Sequence, residues 1–176
     1  MGIHLNIFKQ FLGLNTLASY AGFIISASNP TLGPYTNFMM NGVELIATII
    51  ASIWITDRFG RRFLIIYSVI LFTIFNYLIV MGLLIQSTTV TIIMMILIMG
   101  TFGISYSVVS WVYPDEILRP EQATYASLAT WPVLFFATIL PPIIADDTTN
   151  GTPWPIFLFY GGYCTISGIY MFFCVI

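Results

Sequence analysis

Few side chains in this chain can do chemistry, and each stands inside or beside an apolar run. Gln10 and Asn15 carry carboxamides, which offer paired donors and acceptors without placing a full charge in an oily surrounding. They lie five positions apart, about 140° of rotation on a helix, so only partly on one face. Trp111 and Trp131 combine a flat apolar ring with an indole N–H donor. Glu44 is an ionisable group within an apolar run, where burial unpaired is costly and function is the default expectation. The densest charge is Asp57-Arg58-Phe59-Gly60-Arg61-Arg62, and Glu116 with Arg119 forms a smaller set. His4 is the single histidine, no Cys/His spacing suits a metal, no Gly-rich phosphate loop is present, and the serines lack a His and an acid in a recognisable arrangement. The chemistry on offer is hydrogen bonding, ring stacking and ion pairing, so no enzyme is expected and no cofactor is implied.

The elements that must position these groups follow from composition. A chain of 176 residues that is 59% hydrophobic and 7% charged, with a mean hydropathy of +0.95, cannot hide its apolar surface in one soluble core of this size. It is expected in a bilayer. Barrel strands alternate apolar with polar, whereas these Ile, Leu, Phe and Met runs are continuous and reach the roughly 20 residues a spanning helix needs. The expected fold is an all-α membrane protein with six transmembrane helices, over residues 5–27, 35–56, 63–85, 89–113, 125–145 and 154–176. Turn residues separate them: Asn29-Pro30 and Gly33-Pro34, Gln86-Ser87-Thr88, the segment 114–122, and the segment 146–155. Short connections predict that consecutive helices are antiparallel neighbours.

Orientation follows from the basic residues. Lys9 lies near the start of the first span, Arg58, Arg61 and Arg62 after the second, and Arg119 after the fourth, so an even number of crossings puts all five on one side. Lys and Arg favour cytoplasmic loops, which predicts an integral, multi-pass protein with both termini on the cytoplasmic or matrix-equivalent side. Asp146 and Asp147 fall on the other side. The net charge of −2 has no basic patch for nucleic acid. Cys164 and Cys174 lie ten positions apart on one predicted helix, roughly 15 Å, too far to bond to each other within it. The first 27 residues lack the features of a cleaved signal and read as a permanent span, and Asn6 spoils a myristoylation pattern. Asn150-Gly151-Thr152 is a glycosylation sequon in a loop expected to lie too close to the bilayer for use.

The polar residues stand where one known family puts them. Gln10-Phe11-Leu12-Gly13-Leu14-Asn15 resembles the Gln-x-x-Gly-x-Asn signature of helix seven in sugar porters of the major facilitator superfamily, the glucose-transporter-like proteins. The string from Asp57 to Arg62 resembles their loop between helices eight and nine. Trp111 with Glu116 is similar to the Trp and acidic gate residue of helix ten, and Trp131 with Pro142 to the pattern of helix eleven. These motifs occur in family order and cover most of the chain.

The resemblance implies that residues 1–176 form a single six-helix domain, the C-terminal half of a major-facilitator-type bundle comprising helices seven to twelve. Such halves pair with an N-terminal six-helix half and alternate access by rocking around a sugar. It implies that Gln10, Asn15, Trp111 and Trp131 contact a hexose or related sugar, and that Glu116 works with Asp57, Arg58, Arg61, Arg62 and Arg119 as a gate of ion pairs. Carboxamides suit vicinal hydroxyls, and an indole face suits a pyranose ring. The bland alternatives are amides that tie neighbouring helices and a charge cluster that only fixes topology. Departures from the pattern are Lys9 for a Gln, Ser19 for an aromatic residue, Ser107-Val108 for the Gly-Pro pair that loosens helix ten, a shorter loop after Glu116, and Ala123 where an Arg is usual. They keep open a second reading, a degenerate half-transporter serving as a structural subunit among other membrane subunits. Gly100, Gly103, Gly161, Gly162 and Thr165 suit close helix contacts under either reading.

Overall fold

The computed structural model describes residues 8, 10–28, 30–55, 58, 60–107, 109, 120–148 and 154–175. Among the described residues there are helices and turns and no strand. A short helical stretch holding Phe8 and Gln10 ends in a turn over residues 11–13. Then follow α1 (Leu14–Ser28), α2 (Leu32–Ile50), α3 (Arg61–Leu84), α4 (Thr88–Thr101), α5 (Pro120–Thr148) and α6 (Trp154–Val175). Two of these run on into π-helical turns, α2 through Ala51–Ile55 and α4 through Phe102–Tyr106.

Local chemistry explains the boundaries. Gly33 and Pro34, expected in a connection, lie instead in the first turn of α2, where a proline sacrifices no helical hydrogen bond. Gly60 precedes α3 with φ +73° and ψ +147°, a conformation nearly restricted to glycine. α3 closes through Gln86 at φ +56°, with Ser87 N–H donating to Gly82 O at 3.1 Å and Gln86 N–H to Leu83 O at 3.2 Å. α5 opens on Pro120 with Glu121 beside it, a start residue and an acid suited to the positive end of the helix dipole.

Four segments are long and apolar enough to cross a membrane: Leu32–Ile55, Phe63–Leu84, Thr88–Tyr106 and Trp154–Phe173. The other two expected spans correspond to α1, which the described residues cover only in part of the expected range, and to α5. The turn over residues 11–13 cuts the first apolar run and leaves α1 with 15 residues. α5 is 29 residues long, with an apolar portion over Thr130–Ile139.

Helix pairing also departs from simple adjacency. α1 packs on α2, α3 on α4 and α5 on α6, as short connections predict, but the broadest contact joins α3 to α6, and α2 packs against α4. Small residues choose these partners. A Cβ on Gly103 would lie 2.7 Å from Glu44 O and 2.8 Å from Ala47 Cβ, and one on Gly168 would lie 2.8 Å from a Val69 methyl. A Cβ on Gly100 would lie 3.2 Å from Val43 and one on Gly161 3.3 Å from Tyr77, both tight, whereas Gly162 meets nothing within 4 Å among the described residues. α1 is tied to α2 by Gly22 N–H donating to Asn37 Oδ1 at 3.0 Å. An aromatic cluster fills the centre: Tyr106 stands edge-on to Phe8 at 5.6 Å and to Phe72 at 6.4 Å, with Phe102 at 6.4 Å from both Phe72 and Tyr106.

Candidate functional site

The site is built around the break before α1. Gly13 takes φ +78°, which ends the short helical stretch and lets α1 begin in a new direction at Leu14. On a continuous helix Gln10 and Asn15 would diverge by about 140°. Across the break they meet, and Asn15 Nδ2 donates to Gln10 Oε1 at 2.7 Å. Gln10 is buried and Asn15 partly so. Each amide still has donor and acceptor capacity beyond this bond.

Tyr160 of α6 holds the break from below. Its ring lies 2.6 Å from where a Cβ on residue 13 would stand, so only glycine fits there on both conformational and steric grounds. The Tyr160 hydroxyl donates to Ala137 O at 3.2 Å. Ala137 is four residues before Pro141, which has no N–H to return to that carbonyl, so the tyrosine supplies the missing donor. One buried side chain thus connects the α1 break to the proline-altered part of α5.

Asn15 also lines a cavity of about 80 Å³ with Leu14, Ala18, Glu44, Met99 and Phe102. Glu44 belongs to the inward stripe of α2, with Met40, Ala47 and Ala51 buried one turn or more on either side. It sits midway along Leu32–Ile55. Phe102 opens the π-helical turn of α4. That turn ends just before Ser107-Val108, so helix irregularity is present close to where the family pattern has its Gly-Pro pair. π turns widen a helix locally and recur at functional positions.

The remaining expected site residues are not gathered at this cavity. Trp131 lies on α5 with 68% of its surface exposed and does not line it. Arg58 is exposed, and Arg61 and Arg62 open α3, following Gly60. Asp57, Trp111, Glu116 and Arg119 lie outside the described residues. No group of three or more metal-ligating side chains occurs among the described residues. Sequence reasoning missed Tyr160 and the π turn. A signal for the first exists in Pro141, whose missing N–H calls for an outside donor to Ala137, whereas nothing in residues 102–106 marks a π turn.

The sequence model of the family described as "Sugar (and other) transporter" matches residues 1–176. "Sugar transport protein 6" of Arabidopsis thaliana is 25% identical over 194 residues, a match covering 99% of this chain and 37% of that protein. "Hexose transporter 1" of Toxoplasma gondii is 29% identical over 173 residues, covering 93% of this chain and 29% of that protein. Among solved structures, the proton:xylose symporter XylE bound to 6-bromo-6-deoxy-D-glucose superposes with a TM-score of 0.85 at 22% identity, over 97% of this chain and 38% of that one. The chain therefore spans well under half the length of these proteins. With helices long and apolar enough to cross a membrane and a family match along its whole length, the chain is an integral, multi-pass membrane protein that belongs to the sugar transporter family and shares the fold of the major facilitator superfamily symporter it superposes on.

Proposed function

We propose that this chain is a single six-helix domain that serves as the C-terminal half of a sugar porter and moves a hexose or related sugar across its membrane by alternating access. The observation that carries this reading is the Gln10–Asn15 amide pair, joined at 2.7 Å on a helix break and bordering a cavity inside a sugar-transporter fold. Paired amides exchange hydrogen bonds with vicinal hydroxyls and carry no net charge into the bilayer. Trp111 and Trp131 would then face the pathway at the seam with an N-terminal six-helix half, where the exposure of Trp131 on this half is expected. Asp57, Arg58, Arg61, Arg62, Glu116 and Arg119 would form the ion-pair gate on the cytoplasmic side, together with both termini.

The test is uptake of labelled D-glucose into vesicles from the protein's own membranes, with the chain and whatever it associates with left intact. Uptake that is saturable and is lost with Gln10→Ala and with Asn15→Ala supports the reading. The departures at Lys9 and Ala123 favour the second reading, a structural subunit. It would prevail if the chain migrates in a stoichiometric membrane complex that takes up no glucose and is unaltered by either substitution.

A further inference from the structure

The seam between α3 and α6, the broadest helix contact in the molecule, is not sealed along its whole length. The two helices run antiparallel, since Gly161 of α6 approaches Tyr77 of α3 while Gly168 approaches Val69. Over the half of the seam that holds Tyr77 they fit tightly. The Tyr77 ring lies 3.3 Å from where a Cβ on Gly161 would stand, and its hydroxyl lies 3.4 Å from Thr165 Oγ1. Over the other half a groove of about 340 Å³ opens, with Ile66, Ile70 and Ile74 along α3 and Thr165, Ile169 and Phe172 along α6. Thr73, which also lines it, donates to Val69 O at 2.9 Å, and Thr165 donates to Gly161 O at 2.8 Å, so neither hydroxyl needs an acceptor from an occupant.

We propose that this groove holds one acyl chain of an anionic phospholipid, from the leaflet in which α3 begins. Length fixes the class of occupant. From Ile66 to Ile74 is about 12 Å of helix, and Ile74 stands at the middle of the span Phe63–Leu84, so the groove runs from just inside the interface to the centre of the bilayer and stops. That is the reach of a single chain in one leaflet of a hydrocarbon core about 30 Å thick. A partner helix, about 10 Å wide and crossing both leaflets, would need the seam beyond Ile74, which Tyr77 fills. Position fixes the headgroup. Arg62, Ile66, Ile70 and Ile74 follow at every fourth residue, so the strip of α3 that walls the groove continues into the basic pair at the helix start, where a lipid phosphate meets opposite charge. A guanidinium has five N–H donors, so a phosphate and a carboxylate can share Arg62. Phe63 and Tyr67 stack at 5.8 Å and are exposed at this end, as are Phe172 and Phe173, aromatic residues of the kind that settle at a membrane interface. Lipid tails are as apolar as leucine, so preference for the groove over the rest of the lipid-facing surface comes from contacts on several sides of the chain rather than from transfer out of water.

The experiment supplies membranes containing the chain and its native associates with phosphatidylglycerol that carries a photoactivatable diazirine at mid-chain, and peptide mass spectrometry reads the labelled residues. Labelling over residues 66–74 and 165–173 is expected to exceed several-fold that at Ile93 and Leu97 of α4, exposed apolar residues outside the groove. It should fall several-fold when the same probe carries a phosphatidylcholine headgroup. Ile169→Trp fills the groove and should reduce its labelling several-fold, whereas Ile166→Trp, on an exposed position of α6 outside the groove, should leave it unchanged. Both variants replace exposed residues, and a thermal midpoint equal to that of the parent shows that a loss of labelling is not a loss of fold. Arg62→Gln should abolish the difference between the two headgroups while labelling by phosphatidylcholine persists. Labelling no stronger than on α4, labelling unchanged in Ile169→Trp, or equal labelling by both headgroups in the parent overturns the proposal. Cross-linking of these residues to another polypeptide overturns it in favour of a protein partner. The proposal depends on residence in a bilayer and not on sugar transport, so its failure leaves the transporter reading standing, and a failure of glucose uptake leaves the groove untouched.

Discussion

Gly13→Ala tests the construction of the site most directly, because the structure separates two costs. The first is conformational: Gly13 sits at φ +78°, where an L residue pays about 1–2 kcal/mol. The second is steric: the new methyl would lie 2.6 Å from Tyr160 Cδ2 and 2.8 Å from Cγ. Tyr160 is 2% exposed and bonded to Ala137 O, so its ring has little freedom to withdraw, and overpacking of this kind costs about 1–3 kcal/mol. The expected loss is about 2–5 kcal/mol, or roughly 10 °C in thermal midpoint for a chain of this size. The assay is thermal unfolding in detergent micelles, run as a double-mutant cycle with Tyr160→Ala. Truncating the ring leaves the backbone cost in place and removes the clash, so the two substitutions should couple by about 1–3 kcal/mol.

Two other glycines calibrate the measurement. Gly60 has φ +73° but open space around its Cβ position, so Gly60→Ala should show a backbone cost alone. Gly162 lies inside α6 with nothing within 4 Å, so Gly162→Ala should be neutral or gain up to about 1 kcal/mol from helix propensity. The expected order of loss is Gly13, then Gly60, then Gly162. Strict additivity of Gly13→Ala with Tyr160→Ala would refute the claim that Tyr160 shapes the break, whatever the size of the single effects.

Three further perturbations follow from particular contacts. Tyr160→Phe removes the donor to Ala137 O and should cost about 1 kcal/mol, and Pro141→Ala in that background should recover part of the loss by restoring a helical N–H, as read by the same unfolding assay. Asn76 is wholly buried in α3, with Nδ2 donating to Phe72 O at 2.9 Å and Oδ1 without a protein partner among the described residues. Asn76→Leu should therefore raise the thermal midpoint, by an amount corresponding to about 1 kcal/mol, and a fall of that size would show that the amide is satisfied in a way the contacts do not reveal. Gly103→Val should force α4 away from α2 at Glu44 and Ala47, lowering the midpoint by several degrees and weakening glucose binding together, while Gly162→Val, facing open space, should leave binding intact.

What could be read in advance divides along a physical line. Apolar runs, prolines and basic residues act locally, so the all-helical bundle, the turn at Gln86 and the glycine-only conformation at Gly60 follow from short stretches of sequence. The 140° divergence assigned to Gln10 and Asn15 follows just as locally, from 100° per residue, and fails because that rule assumes an unbroken helix. Gly13 alone does not announce a break, since glycine is common within membrane helices; the break requires Tyr160, which is 147 positions away and finds its place only after α6 has packed. Glu44 shows the same asymmetry. Its presence in an apolar run marks it as costly, but its partners at the cavity come from α1 and α4, and the choice of α4 as a neighbour of α2 depends on the small side of Gly103. The amide pair and the acid were thus visible as residue types, whereas their convergence is a property of helix packing, and a substitution at Gly13 or Gly103 should dismantle the cavity without touching any of the groups proposed to bind.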